Sequence, residues 1–388
     1  MPGDRAHDIV LFGASGFTGS LAAQYLATHA HEGLRWALAG RGRAKLQALC
    51  ERLQLDVPII EADVSQPASV RALAESTRVA VSTVGPYIRY GEPLVEACAL
   101  AGTDYIDITG EPEFVDNMYI RHHERALQSG ARLVHCCGFD SIPHDLGALF
   151  TVQQLPEGVP LKVEGFVRMR GSISGGTLHS AIAAFSRIGS SMSAARSRKA
   201  LEQHPTDRRI HGTAGRPHNE RGIGWVLPMP TIDPQVVLRS AAALPRYGPD
   251  FSYGHYFVTG NLPASLGLTS GVLGAVAMAQ LGPTRKLLLD RIDPGQGPSP
   301  QRRASSSFSV RFIGQGGGKR VLAEVSGGDP GYDETAKMLS EAALCLACDD
   351  ALPDRAGQLT SAVAMGDALR ERLQRADISF SVLEERAA

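Results

Sequence analysis

From Asp8 to Cys137 the chain alternates between short apolar runs and segments of helical spacing, and this alternation constrains its fold more than any other feature. DIVLF (Asp8–Phe12) is brief, apolar and bounded by glycine, which is the pattern of a buried strand. Leu21, Ala22, Tyr25 and Leu26 then recur at helical spacing, and RWALAG follows as a second strand. Leu46, Leu49, Cys50 and Leu53 mark the apolar face of a second helix. PIIEADV, VAVSTV (Val79–Val84), DYIDI (Asp104–Ile108) and ARLVHCC continue the strands, with helices predicted over Pro93–Ala101 and Pro112–Ser129. Strands that alternate with helices predict an α/β fold: a Rossmann-like, doubly wound parallel sheet with helices on both faces.

After about Leu146 the rhythm changes. LKVEGFVRMRG (Leu161–Gly171) alternates polar and apolar residues, as a strand with one wet face does. Phe308, Val310 and Phe312 alternate on one arm of a predicted hairpin and Val321, Ala323 and Val325 on the other, with Gly316–Gly318 at the turn. Between them lie a charged stretch, Glu202–Arg221, and the linker-like DPGQGPSPQRRASS. Helical spacing returns with GYDETAKMLSEAALCLA and AMGDALRERLQR. The expected organisation is a nucleotide-binding domain over residues 1–145, an inserted α+β domain of mainly antiparallel sheet over 146–330, and a helical return over 331–388.

Between the first strand and the first helix stands Gly13-x-x-Gly16-x-x-Gly19. Glycines let the backbone approach a diphosphate without a Cβ clash, while the helix N-terminus offers free amides and a positive dipole end. The context of strand, turn and helix favours a dinucleotide site over a plain tight turn. Ser15, Phe17 and Thr18 fall beside the phosphates. An NAD enzyme places an acid about 20 residues on, for the ribose 2′-hydroxyl. ALAGRGRAKL instead offers Arg41 and Arg43, so a 2′-phosphate and hence NADP(H) is expected; the alternative is that both only solvate a helix start. Asp63 and Val64 end the third strand, on the adenine side. Thr83, Gly85, Pro86 and Tyr87 end the fourth, on the nicotinamide side, with Tyr87 equally readable as a packing residue.

CCGFDSIPHDL follows the sixth strand and brings Asp140, Ser141 and His144 to the same edge. Tyr87, Ser141 and His144 are the candidate proton donors or hydrogen-bonding groups. Asp140 and Ser141 can also cap the helix that begins near Pro143, and capping is the better reading of Asp140. The cysteines lack the spacing of a disulfide framework or a zinc site, and no metal is expected. Tyr-x-x-x-Lys, G-x-S-x-G, H-E-x-x-H and the P-loop pattern are missing, which disfavours the short-chain dehydrogenase dyad, serine hydrolases, zinc proteases and P-loop ATPases.

These stretches resemble the saccharopine dehydrogenase-like oxidoreductases, most strongly the branch that holds the mycobacterial trans-acting enoyl reductases. The likeness rests on GASGFTG, ALAGR, TVGPYIRYGEPLVEACALAGTDYIDITGE, GFDSIPHDL, GDPGYDETAKMLSEAALCLA and AVAMGDALRERL. It implies a Rossmann-like domain carrying an α+β insertion, and NADP-dependent reduction of an enoyl or acyl substrate, lipid-linked and presented by a polyketide synthase. Two alternatives stay open: saccharopine-type amino-acid chemistry, for which Arg168 and Arg170 would meet an anionic substrate, and an NADP(H)-binding sensor without turnover.

A net charge of -1 gives no electrostatic footprint for nucleic acid. The polar MPGDRAHD start favours a cytoplasmic protein. Phe251–Thr284 holds no Asp, Glu, Lys or Arg, yet is rich in Gly, Ala, Ser and Thr. A buried helix, or one packed at a dimer or lipid-facing surface, is expected there in preference to a membrane span, so a homo-oligomer and peripheral membrane contact are the associated expectations.

Overall fold

The computed structural model describes residues 5–171, 187–280 and 297–387. Strand β1 (His7–Phe12) leads through the glycine turn into α1 (Phe17–His29), then β2 (Trp36–Gly40), α2 (Arg43–Leu53), β3 (Ile59–Glu61), α3 (Pro67–Ser76) and β4 (Thr77–Ser82). Next come the short α4 (Tyr87–Tyr90), α5 (Glu92–Ala101), β5 (Asp104–Asp107), α6 (Pro112–Ser129), β6 (Arg132–Val134) and α7 (Ile142–Gln153). The ends of α6 follow from its sequence. Pro112 begins it where an amide has no intrahelical partner, and Gly130, at φ 82°, takes the left-handed position that closes it.

The second part comprises β7 (Leu161–Arg170), α8 (Ile188–Leu201), β8 (Arg209–Gly212), β9 (His218–Glu220), β10 (Gly224–Pro228), α9 (Asp233–Ala243), β11 (Asp250–Gly260), α10 (Leu262–Gln280), α11 (Pro300–Ala304), β12 (Ser307–Gly316) and β13 (Lys319–Gly327). The chain then forms α12 (Asp333–Cys348), β14 (Gly357–Leu359), α13 (Ser361–Ala364), α14 (Gly366–Arg375) and β15 (Ser379–Ala387).

The first sheet has seven parallel strands in the order β14-β6-β5-β4-β1-β2-β3. Its reversal at β1 places a switch point beside the glycine turn, where doubly wound sheets bind ligands. The second sheet has eight strands, β15-β13-β12-β7-β11-β10-β9 with β8 beside β11. Its pairs are antiparallel except β7 with β11 and β8 with β11. The expected fold class is therefore present.

Several local readings change. Helix α3 was not anticipated. The charged stretch Glu202–Arg221 contributes β8 and β9. The return after 331 is not purely helical: β14 extends the parallel sheet and β15 pairs with β13 in the other. Phe251–Thr284 splits into a strand, β11, and a helix, α10, and its last residues lie outside the described ones. Among its described residues Leu262, Leu266, Leu268 and Met278 are exposed on α10 and Ser265 is buried. Among the described residues no helix is long and apolar enough to cross a membrane.

One apolar cluster runs from Leu11 and Leu38 of the first sheet through α7 and α12 to Val163, Phe312 and Val325 of the second. Helix α7 is the joint. Leu146, Leu149 and Val152 are buried along it, each worth roughly 1.5–3 kcal/mol. Gly147 is where α7 meets β12; a Cβ there would lie 2.3 Å from the Phe312 ring. This close seat fixes the loop before α7, and with it the functional edge of the first sheet.

Candidate active site at the carboxyl edge of the parallel sheet

Gly13 has φ +87°, and a Cβ on it would lie 2.7 Å from Thr83 Oγ1 and 2.8 Å from Val84 Cγ2. A Cβ on Gly19 would lie 2.3 Å from the Gly13 carbonyl oxygen. Neither position has room for a side chain, so the glycines are required by the turn itself. Gly13 donates its amide to Ala39 O and Gly16 donates to Gly13 O, which fold the turn back over β2. Gly16 caps α1 and no side chain hydrogen-bonds the capping position, so among the described residues no cap takes up the first-turn amides that a phosphate site would use. Thr18 lies in that first turn. Ser15 approaches Gly40 at the end of β2, its Oγ 4.0 Å from a Cβ built there.

Phe17 packs into the protein instead of standing free. Its ring meets Tyr332 edge-on at 4.8 Å, and the Arg303 guanidinium lies 5.4 Å from its centroid. Gly297 packs so closely on this ring that a Cβ would come within 2.1 Å. The segment 297–303 thus returns to the glycine turn, and Arg303, held by Asp333 at 3.0 Å, is a basic residue here that the sequence did not single out.

Arg41 is exposed just past β2, and its charge lowers the Asp63 carboxyl, after the larger effect of hydrogen bonds from Ser65. Arg43 differs: its guanidinium lies 3.4 Å from Glu61, both being exposed. Asp63 Oδ1 accepts from the Ser65 amide and hydroxyl, which leaves its other oxygen for a ligand, and half-buried Val64 follows it.

Gly85 and Pro86 carry the chain from Thr83 into α4. Tyr87 opens that helix and is buried. Its hydroxyl donates to Ser82 O at 3.0 Å and accepts from the Ile108 amide at 3.4 Å, and burial pushes the phenol up. The phenol thus ties β4 to β5, which favours the packing reading of Tyr87 over the proton-donor one. Glu111, which closes the DITGE stretch expected to line the cleft, has a structural role there. Its carboxylate accepts from the amides of Tyr87 at 3.0 Å and Ile88 at 2.9 Å and so holds the start of α4.

Asp140 and Ser141 do not cap α7 through their side chains. Ser141 is fully buried, and its Oγ has no hydrogen-bond partner among the described residues. The Asp140 carboxyl reaches across to Gly110, 3.0 Å from a Cβ built there, and is pushed up to about 7 by burial and by the charge of Asp233. His144 is buried beside Asp233 of α9 and His255 of β11. Its Nδ1 lies 3.2 Å from Asp233 Oδ1, and His255 Nε2 lies 3.4 Å from Asp233 Oδ2. Burial holds the His144 imidazole down to about 4. Asp233 and His255 come from α9 and β11, and their roles appear only when the chain is folded. Arg168, a candidate for an anionic substrate, donates to Ile223 O at 3.1 Å.

Residues 9–134 match the model of the saccharopine dehydrogenase NADP-binding domain. A Mycobacterium tuberculosis protein named provisionally as a trans-acting enoyl reductase is 38% identical over 97% of both chains. A second M. tuberculosis protein, named trans-acting enoyl reductase, is 34% identical over 97% of this chain and 98% of its own. Saccharopine dehydrogenase (L-Glu forming) of Saccharomyces cerevisiae has a TM-score of 0.54 at 12% identity, covering 98% of this chain and all of the yeast chain, a likeness of fold.

Proposed function

The chain belongs to the saccharopine dehydrogenase-like family of NADP-dependent oxidoreductases, with the trans-acting enoyl reductases, and from that premise we propose that it reduces the carbon–carbon double bond of an enoyl thioester on a polyketide- or lipid-type chain carried by a separate synthase. The observation that carries this reading is the glycine turn locked between β1, β2 and β4, where no side chain fits and none caps the first-turn amides of α1. These residues fit a dinucleotide diphosphate, and Arg41 fits the 2′-phosphate.

NADPH supplies the hydride when bound. The chain's own residues orient it and manage the proton. Hydride addition at Cβ moves the double-bond electrons toward the thioester oxygen, and the resulting enolate takes a proton at Cα. Asp140 stands at the carboxyl edge with its carboxyl raised to about 7, mainly by burial, so about half of it carries a proton at neutral pH that it can deliver. The buried Ser141 hydroxyl beside it is the neighbouring hydrogen-bond donor.

The test follows NADPH consumption with enoyl thioesters on free and carrier-protein-bound chains, against amino-acid and keto-acid pairs. Saturable oxidation with the enoyl substrates alone is expected. Oxidation with the amino-acid pairs would favour saccharopine-type chemistry, and tight NADPH binding without any oxidation would favour a sensor.

A further inference from the structure

We propose that His144, Asp233 and His255 form a binding site for one divalent transition-metal ion of the zinc class, set where α7, α9 and β11 meet. The three side chains are 0%, 0% and 6% exposed, and their ligand atoms all lie within 4.8 Å of one another. No part of the cofactor reading enters this inference.

The first argument is polar accounting. Both ring nitrogens of His144, Nε2 of His255 and Oδ1 of Asp233 are buried without a well-aligned hydrogen bond among the described residues, although the Phe139 backbone stands near His144 and His255 stands near Asp233. Each such atom is costly when left bare in the protein interior. Neutral imidazoles can each turn one N–H to a different Asp233 oxygen, but the His144–Asp233 pair is not aligned for it. A cation accepts lone pairs from both rings and from the carboxylate at once, and it neutralises a carboxylate that is out of water.

The second argument is spacing. The nitrogen–oxygen separations of 3.2 Å and 3.4 Å lack hydrogen-bond alignment. They run to the two different oxygens of Asp233, so a single ion held on bonds of about 2.0 Å would draw the three ligand atoms, now within 4.8 Å of one another, closer together. Two imidazoles and one carboxylate select zinc, cobalt or a neighbour over calcium and magnesium, which prefer all-oxygen sites. Three protein ligands leave one position for water.

The third argument is the surroundings of the ligands. His255 Nδ1 lies 3.1 Å from the Tyr253 hydroxyl, and a hydrogen bond there turns the Nε2 lone pair toward Asp233. The Thr231 hydroxyl donates to Asp233 Oδ2, which orients the carboxylate and leaves Oδ1 open. Metal-binding histidines and carboxylates are held by outer partners of this kind. An ion in this position would bind α7, the helix that leaves the first sheet, to β11 of the second.

The test uses the full chain with any affinity tag removed, loaded with zinc or cobalt alone, desalted and measured by elemental mass spectrometry. About one zinc per chain is expected, and the cobalt form should show the intense visible absorption of a tetrahedral site. His255→Ala and Asp233→Asn should each cut the retained metal at least about tenfold. The double variant His211→Ala/His218→Ala, which removes more exposed histidines, should retain it in full. The wild-type cobalt spectrum decides the matter even if a ligand variant fails to fold. Less than about a tenth of an equivalent retained, a weak octahedral spectrum, or uptake unchanged in His255→Ala would overturn the site. Enoyl reductase activity is not the readout, so failure here leaves the proposed function standing, and the reverse holds too.

Discussion

The Thr83 hydroxyl shares its one proton between the Gly13 carbonyl oxygen at 3.1 Å and Phe12 O at 3.2 Å, so the end of β4 is fastened to the glycine turn. The same carbonyl lies 2.3 Å from where a Gly19 side chain would begin. Gly19→Ala must therefore push the turn off β4, and NADPH affinity should fall roughly 10- to 100-fold, as expected for about 1–3 kcal/mol of backbone strain. Thr83→Val keeps the shape and loses the bonds; a loss of about 1 kcal/mol, near fivefold in Kd, is expected. Fluorescence titration with NADPH checks both. Unchanged affinity in Gly19→Ala would remove the turn from the cofactor site.

Cofactor choice turns on Arg41 and not on Arg43. The Arg43 guanidinium already lies beside Glu61 at 3.4 Å, while Arg41 stands exposed at the end of β2. Arg41→Asp should weaken NADPH by at least about tenfold, the worth of a charge-assisted contact to a phosphate, and change NADH far less. Arg43→Ala should leave the NADPH-to-NADH ratio nearly as it is. Equal losses of both cofactors in Arg41→Asp would refute the 2′-phosphate role.

Tyr87 separates a structural phenol from a catalytic one. Its hydroxyl bridges Ser82 O and the Ile108 amide inside the core. Tyr87→Phe should lower stability by about 1 kcal/mol, seen as a shifted denaturant midpoint, with kcat within about threefold of wild type. Asp140→Asn should do the opposite, lowering kcat strongly while NADPH affinity and the midpoint hold. A large fall in kcat for Tyr87→Phe would return the proton to the phenol.

What could be read from the sequence was local. Helix α6 is punctuated by Pro112 and Gly130, and the glycine turn announces itself between a strand and a helix, so both stood out. Helix α3 buries only Val70, Leu73 and Ala74, a stripe too short to separate from loop. Strand β15 ends in LEERA and lies mostly exposed at a sheet edge, so it lacks the apolar alternation that signals a strand. Asp233 reads as an ordinary acid in the first turn of a helix, and His255 as one polar residue in a strand. Their meeting with His144 depends on α7 being seated against the second sheet, and no local pattern records that.

Acid sensitivity should concentrate where α6, α8 and α9 meet. Glu202 accepts from Arg239 Nε at 2.7 Å and is ion-paired with Arg198, which also holds Asp116 at 2.6 Å. Burial pushes the Glu202 carboxyl up, but Arg239 and Arg198 together outweigh it and hold it below its ordinary 4.5. A carboxyl lowered in the folded state stabilises the protein above its unfolded pKa, and that share is lost as pH falls through the folded one. Glu202→Gln should therefore cost about 1–3 kcal/mol at neutral pH, because the partly buried Arg239 loses its counter-charge and the buried Arg198 keeps only Asp116. The gap to wild type should close as the pH drops below about 4 and the native carboxyl takes up its own proton. Chemical denaturation of both proteins across that range checks the sign; a gap that stayed constant with pH would mean that Glu202 contributes packing alone.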